Sequence, residues 1–96
     1  MKNPAIYIMA NKKNGTIYAG VTSDLIKRVF EHKNGITKGF VDKYGCKTLV
    51  YYEFCDNILD AIAREKQIKG GSRAKKIELI ESVNSSWVDL YDSVCS

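Results

Sequence analysis

Five side chains in this sequence carry groups that could do chemistry: Tyr7, Tyr18, Arg28, His32 and Glu65. The tyrosines bring hydroxyls, and Arg28 brings a planar fork of donors that matches a phosphate. His32, the one histidine of the chain, can exchange a proton near neutrality or contact a phosphate. Each also has a plainer use. Strands favour tyrosine, a flank arginine covers core with its stem, and a histidine near a helix C-terminus is favoured there as a cation.

Glu65 is the anomaly among them. Ile58, Ala61, Ile62 and Ile68 recur at i, i+3, i+4 and i+10 and define one helix face, with Glu65 in the middle of it. Burying an unpaired carboxylate is costly, so Glu65 calls for a cation, a metal or a raised pKa. A salt bridge, for example to Arg28, is the structural alternative. Arg64, Lys66, Lys69, Arg73, Lys75 and Lys76 surround it with no other acid among them. Of these, Lys66, Lys69, Arg73, Lys75 and Lys76 are expected to hold a nucleic-acid backbone, helped by free N–H groups at the start of a helix capped by Ser72. Lys38 joins that set from the stretch after Gly35, where Lys38 and Lys43 interleave with Phe40 and Tyr44.

The elements that must position these groups follow from the same patterns. Residues 5–10 and 17–22 read as two strands of a hairpin closed by Asn14-Gly15. Ile6 and Ile8 alternate with Ala5, Tyr7 and Met9, and Ile17, Ala19 and Val21 alternate with Tyr18, Gly20 and Thr22. Pairing aliphatic with aliphatic puts Tyr7 and Tyr18 on one face, with open space left by Gly20 beside Tyr18. Both hydroxyls are expected to open into one cleft with Arg28 and Glu65. Ser23 or Thr22 caps a first helix ending near Asn34-Gly35, with Leu25, Ile26, Val29 and Phe30 as its apolar stripe and Arg28 and His32 at the stripe's edge. A short helical turn fits residues 35–46, and a third strand fits 49–55. Asp56 or Asn57 caps the helix of Glu65, Gly70-Gly71 ends it, and a helix with Ala74, Ile77, Ile80 and Val83 follows. Trp87 and Tyr91 at i and i+4 predict a short terminal helix packed back on the domain.

The resemblance starts at the hairpin. Ile6-Tyr7, roughly ten residues ahead of Tyr18-Ala19-Gly20, then Arg28 and His32 on one helix and Glu65 on a later one, resembles the GIY-YIG nuclease superfamily. Ala5 replaces the first glycine of the name-giving motif and Ala19 replaces its isoleucine, changes that remove no reactive group. The resemblance covers residues 4 to about 82. It is closest to the small single-domain bacterial members, with Glu65-Lys66-Gln67-Ile68-Lys69 followed by Ser72-Arg73-Ala74-Lys75-Lys76. It implies that Glu65 ligates one divalent cation, magnesium by preference, that Arg28 contacts the scissile phosphate, and that tyrosine hydroxyls orient or activate the water. His32 then assists proton transfer. Either Tyr7 or Tyr18 fits the role of base, and one glutamate leaves the remaining metal positions to water and phosphate.

Size and composition agree with one modest core: 96 residues, 45% apolar, 27% charged, net charge +4 and pI near 9.0. Cys46, Cys55 and Cys95 form no Cys-x-x-Cys pair, so no zinc site or disulfide framework is expected. The absence of a signal-type or spanning apolar run makes a cytoplasmic protein with no membrane partner the expectation. The fold class read here is α/β, a small three-stranded antiparallel sheet flanked by helices in the order β-β-α-β-α-α. One domain is expected over residues 1–96, with its core in 4–82 and a short helical segment at 86–95. The function read here is a metal-dependent endonuclease hydrolysing phosphodiester bonds in DNA ahead of RNA, in DNA repair or processing. The alternative is a nucleic-acid-binding module with little turnover, or the nuclease part of a larger assembly.

Overall fold

The structure, a computed structural model, describes residues 3–36 and 39–96. Strands β1 (Ala5–Ala10), β2 (Ile17–Thr22) and β3 (Thr48–Phe54) form an antiparallel sheet in the order β2-β1-β3. Helix α1 (Leu25–Lys33) and the single turn α2 (Phe40–Tyr44) lie between β2 and β3, and α3 (Ile58–Lys69), α4 (Arg73–Val83) and α5 (Tyr91–Cys95) follow. The small α/β architecture expected from the sequence is therefore present.

The central strand carries no charged residue because it is covered on both faces. Ile6, Ile8 and Ala10 pack with Ala61, Ile68, Ile80 and Trp87 on the α3/α4 side. Ala5, Tyr7 and Met9 pack with Leu25, Val29, Val41, Cys46 and Leu49 on the α1 side. The hairpin register is the aliphatic one, with Ile6 opposite Val21, Ile8 opposite Ala19 and Tyr7 opposite Gly20. Asn14 takes the left-handed conformation at φ 59 that its turn requires.

Three local expectations are corrected. The N-cap of α1 is Asp24, whose carboxylate accepts from the Lys27 N–H. The buried face of α1 is Leu25, Val29 and His32, while Ile26 and Phe30 are 43% and 49% exposed. The helix is thus turned toward the sheet by a histidine, and a stripe drawn from apolar residues alone misplaced it. Trp87 and Tyr91 do not share a helix. Trp87, at φ 57, joins the α3/α4 core and donates its indole N–H to Glu81, whereas Tyr91 packs on the α1 side.

The chain from Asn84 to Leu90 seals the outer edge of the sheet. A bulge in β3 between the partners of Ile8 and Met9 puts Tyr51 opposite Ile8 and Leu49 opposite Met9. Asn84 donates to the carbonyl of Val50, the bulge residue, and to that of Val88. Leu49 donates its N–H to Asp89 and accepts from the Leu90 N–H. Edge groups that would otherwise pair with another chain are satisfied internally.

Candidate active site

The centre of the site is the Tyr7 hydroxyl. Tyr7 points from β1 to the α1 side, and His32 on the last turn of α1 meets it with Nε2 2.9 Å from the hydroxyl oxygen. Both are enclosed, Tyr7 at 2% and His32 at 4% exposure. Tyr18 completes an aromatic triangle, its ring centroid 6.4 Å from Tyr7 and 6.0 Å from His32, with Tyr7 and His32 5.6 Å apart. The Tyr7 hydroxyl lies within electrostatic reach of Arg28, Glu65 and Glu31. Tyr7, Tyr18 and His32 are thus gathered at one place, and the charges of Arg28 and Glu65 act on the Tyr7 hydroxyl.

The expected open cleft around both tyrosines is corrected. Tyr7 is buried although the hairpin register is as predicted, because α1 lies over that face of the sheet. The space next to Gly20 is filled by the Tyr7 ring itself: a Cβ at Gly20 would stand 2.6 Å from the Tyr7 hydroxyl oxygen and 2.7 Å from Cζ. Tyr18 is half-buried and lines a cleft of 380 Å³ with Lys69, Arg73 and Lys76 over Ile17 and Ala19.

Burial sets the protonation of the central pair. It raises the Tyr7 pKa well above that of a free phenol, with Tyr18, Glu65 and Glu31 adding to the rise and Arg28 opposing it. It lowers the His32 pKa, Arg28 pushing the same way and Glu31 the other. At neutral pH the pair is a phenol and an uncharged imidazole, and the hydroxyl donates to Nε2 in the tautomer that carries the ring proton on Nδ1. A cationic capping role for His32 at the end of α1 is thereby corrected, since a charged ring would be stranded in the core.

Charged residues rim this pair. Arg28 is exposed on α1 and pairs with Glu31 at 3.6 Å. Glu31, three residues on and on the same helix face, was missed from the sequence, though its spacing from Arg28 is the signal that could have found it. Glu65 does not occupy a core position. Its side chain is 16% exposed and pairs with Lys69 at 3.1 Å, one turn further along α3. The Arg28 partner considered for it is therefore replaced by Lys69. Among the described residues no group of three or more His, Cys, Asp or Glu could hold a metal ion. Glu65 offers a single hard oxygen donor of the kind a divalent cation takes.

The basic set is only partly available for a ligand. Lys66 and Lys75 are exposed. Arg73 donates to the carbonyls of Asn14 and Gly15 at 2.9 and 2.6 Å, and so ties the start of α4 to the hairpin turn. Lys76 donates to the carbonyls of Gly71 and Lys69 at 3.1 and 3.4 Å, closing the end of α3. Ser72 caps α4 as expected, its hydroxyl accepting from the Lys75 N–H, so that one of the N–H groups at the helix start is already taken. Arg64 is neutralised by Glu53 through two hydrogen bonds of 2.9 and 2.8 Å, and Tyr51 donates to the same carboxylate. Lys43 sits over the Tyr44 ring at 5.4 Å. Lys38 lies outside the described residues.

A hairpin presenting two tyrosines, a helix presenting Arg28 and His32 and a later helix presenting Glu65 define a class, and comparison with known proteins gives the same class. The GIY-YIG catalytic domain matches residues 3–78. The chain belongs to this family, and so to the GIY-YIG nuclease superfamily. Among its relatives, a UPF0213 protein of Staphylococcus saprophyticus is 39% identical over 75 residues, covering 78% of this chain and 90% of its own. A UPF0213 protein of Clostridium perfringens is 38% identical over 77 residues, covering 80% and 82%. The solution structure of a UPF0213 protein from Bacillus halodurans superposes with a TM-score of 0.51 at 30% identity, over 82% of this chain and 83% of that one.

Proposed function

We propose that this chain is a metal-dependent endonuclease that hydrolyses phosphodiester bonds in DNA, in repair or processing. The observation that carries the reading is the buried hydrogen bond of 2.9 Å between Tyr7 and His32, rimmed by Arg28 and Glu65. Family membership supports nuclease chemistry, and DNA is taken ahead of RNA from the resemblance. Hydrolysis removes a proton from water, forms a bond from that oxygen to phosphorus and breaks the bond to the leaving oxygen. Tyr7 on its own is a poor base, because burial opposes its phenolate. Neutral His32 with its ring proton on Nδ1 removes that obstacle: as the Tyr7 oxygen takes the proton of the water, the Tyr7 proton passes to the unprotonated Nε2. No phenolate is left standing in the core. Tyr18 stands beside this pair, and the Arg28 fork neutralises non-bridging oxygens of the phosphate as charge develops. A divalent cation at Glu65, when bound, supplies charge neutralisation at the phosphate.

The test is a magnesium-dependent cleavage assay over single-stranded, duplex and branched DNA and RNA, with Glu65→Gln as the control. Cleavage should collapse in the variant while nucleic-acid binding survives. Because Glu65 stands at the rim in an i, i+4 pair worth about 0.5 kcal/mol, the melting temperature should hold within about 4 °C. A variant that cleaves normally removes Glu65 from the chemistry. A wild-type chain that binds but cleaves none of these substrates makes the protein a binding module.

A further inference from the structure

Lys69 stands at the junction of the two parts of the site. On one side its ammonium pairs with Glu65 Oε2 at 3.1 Å, and on the other it lies 5.6 Å from the centroid of the Tyr18 ring in the cleft. The three cleft cations differ in how they are held. Arg73 is anchored on turn carbonyls and Lys76 on helix-end carbonyls, both neutral partners that substrate binding does not contest. Lys69 is held by the one carboxylate for which a divalent cation would compete. Its side chain is 47% exposed on a flexible four-carbon stem, so it can leave without disturbing the core.

We infer that Lys69 is an exchangeable counter-ion: it neutralises Glu65 in the free chain, and its ammonium, already beside the Tyr18 ring, is freed to meet a nucleic-acid phosphate in the cleft when a divalent cation takes Glu65. The inference rests on the proposed metal role of Glu65 and adds a coupling to it. An ammonium and a divalent cation cannot share that carboxylate without strong repulsion, so binding of the metal releases a cation that the backbone can use. By linkage each ligand then strengthens the other, and metal bound without nucleic acid is held weakly.

The test uses the full chain and two binding measurements. Mn2+ affinity without nucleic acid, read by electron paramagnetic resonance, should tighten roughly two- to fivefold in Lys69→Met, since the competing ion pair is gone. Lys69→Arg should stay near wild type, and Glu65→Gln should lose the site. Anisotropy of a fluorescein-labelled phosphorothioate DNA duplex, titrated with salt, gives the second readout. In saturating Ca2+ the log-log salt slope of Lys69→Met should fall by about one unit below wild type, and in EDTA the two should coincide. If Lys69→Met leaves Mn2+ affinity unchanged while Glu65→Gln abolishes it, the counter-ion role is overturned and the metal role stands. An equal loss of slope with and without Ca2+ overturns it as well. Mn2+ binding that ignores Glu65→Gln overturns both readings.

Discussion

Gly20→Ala puts the closest approach in the site under direct strain. The added Cβ would lie 2.6 Å from the Tyr7 hydroxyl oxygen, 2.7 Å from its Cζ and 3.0 Å from Tyr18 Cε2, against the 3.4 Å at which ordinary packing begins. The hydroxyl must retreat by about 0.8 Å to reach that distance. It has nowhere to go: a move of that size toward His32 turns the 2.9 Å hydrogen bond into a clash, and a move away takes it past hydrogen-bonding range. Overpacking costs about 1–3 kcal/mol and the broken buried hydrogen bond about 1 kcal/mol, so a destabilisation of roughly 2–4 kcal/mol is expected. A domain of this size holds about 5–10 kcal/mol, so the variant should remain folded at 25 °C. Urea unfolding should show a lower midpoint with an unchanged slope, and cleavage should fall by a larger factor than the unfolded fraction explains. The cause is checked by repeating the substitution in a Tyr7→Leu background, where its cost should shrink by more than about 1 kcal/mol. Additive costs, or a Gly20→Ala chain as stable and active as wild type, would refute the packing argument.

The remaining expectations concern protons and charge. Burial holds the His32 pKa below its unfolded value of about 6.5, so the unfolded chain takes up the proton first as pH falls. Stability should therefore drop from about pH 7 downward until the folded pKa is passed, and His32→Gln should remove that part of the dependence in urea titrations at fixed pH. The kcat/KM profile should rise with pH through a midpoint below about 6.5, where His32 becomes neutral; a midpoint above it would deny His32 the role of proton acceptor. In an ultraviolet titration the Tyr51 phenol, raised by burial and by its hydrogen bond to Glu53, should ionise at about 12, and Tyr51→Phe should delete that late step. Replacing Arg73, Lys75 and Lys76 together by Gln should weaken nucleic-acid binding and lower its salt slope by roughly one unit for each phosphate these side chains neutralise. An unchanged slope would remove that face from the binding surface, leaving Arg73 and Lys76 only the hydrogen bonds they make to backbone carbonyls in the fold.

Alternation along two short strands was enough to place Tyr7 and Tyr18 on one face, because a period of two allows only two choices and the aliphatic residues decide between them. Cap residues and glycines marked the helices, whose signals are local in the chain. The family order of Tyr, Tyr, Arg, His and Glu was likewise legible. What covers each face was not. Tyr7 is buried by α1, and His32 is turned inward on that helix to meet it, although Ile26 and Phe30 suggested a different inner stripe. Glu65 drew attention as a core anomaly, yet its depth depended on how far α3 turns against the sheet, which left it at the rim beside Lys69. Arg64, Arg73 and Lys76 read as one basic face until Glu53, the hairpin turn and the end of α3 each claimed one of them. These partners lie 11, 59 and 5 residues away in the chain, and two of those separations are closed only by packing. Local periodicity reports which way a side chain faces within its own element; which element lies opposite, and with what charge, is decided by the tertiary fold.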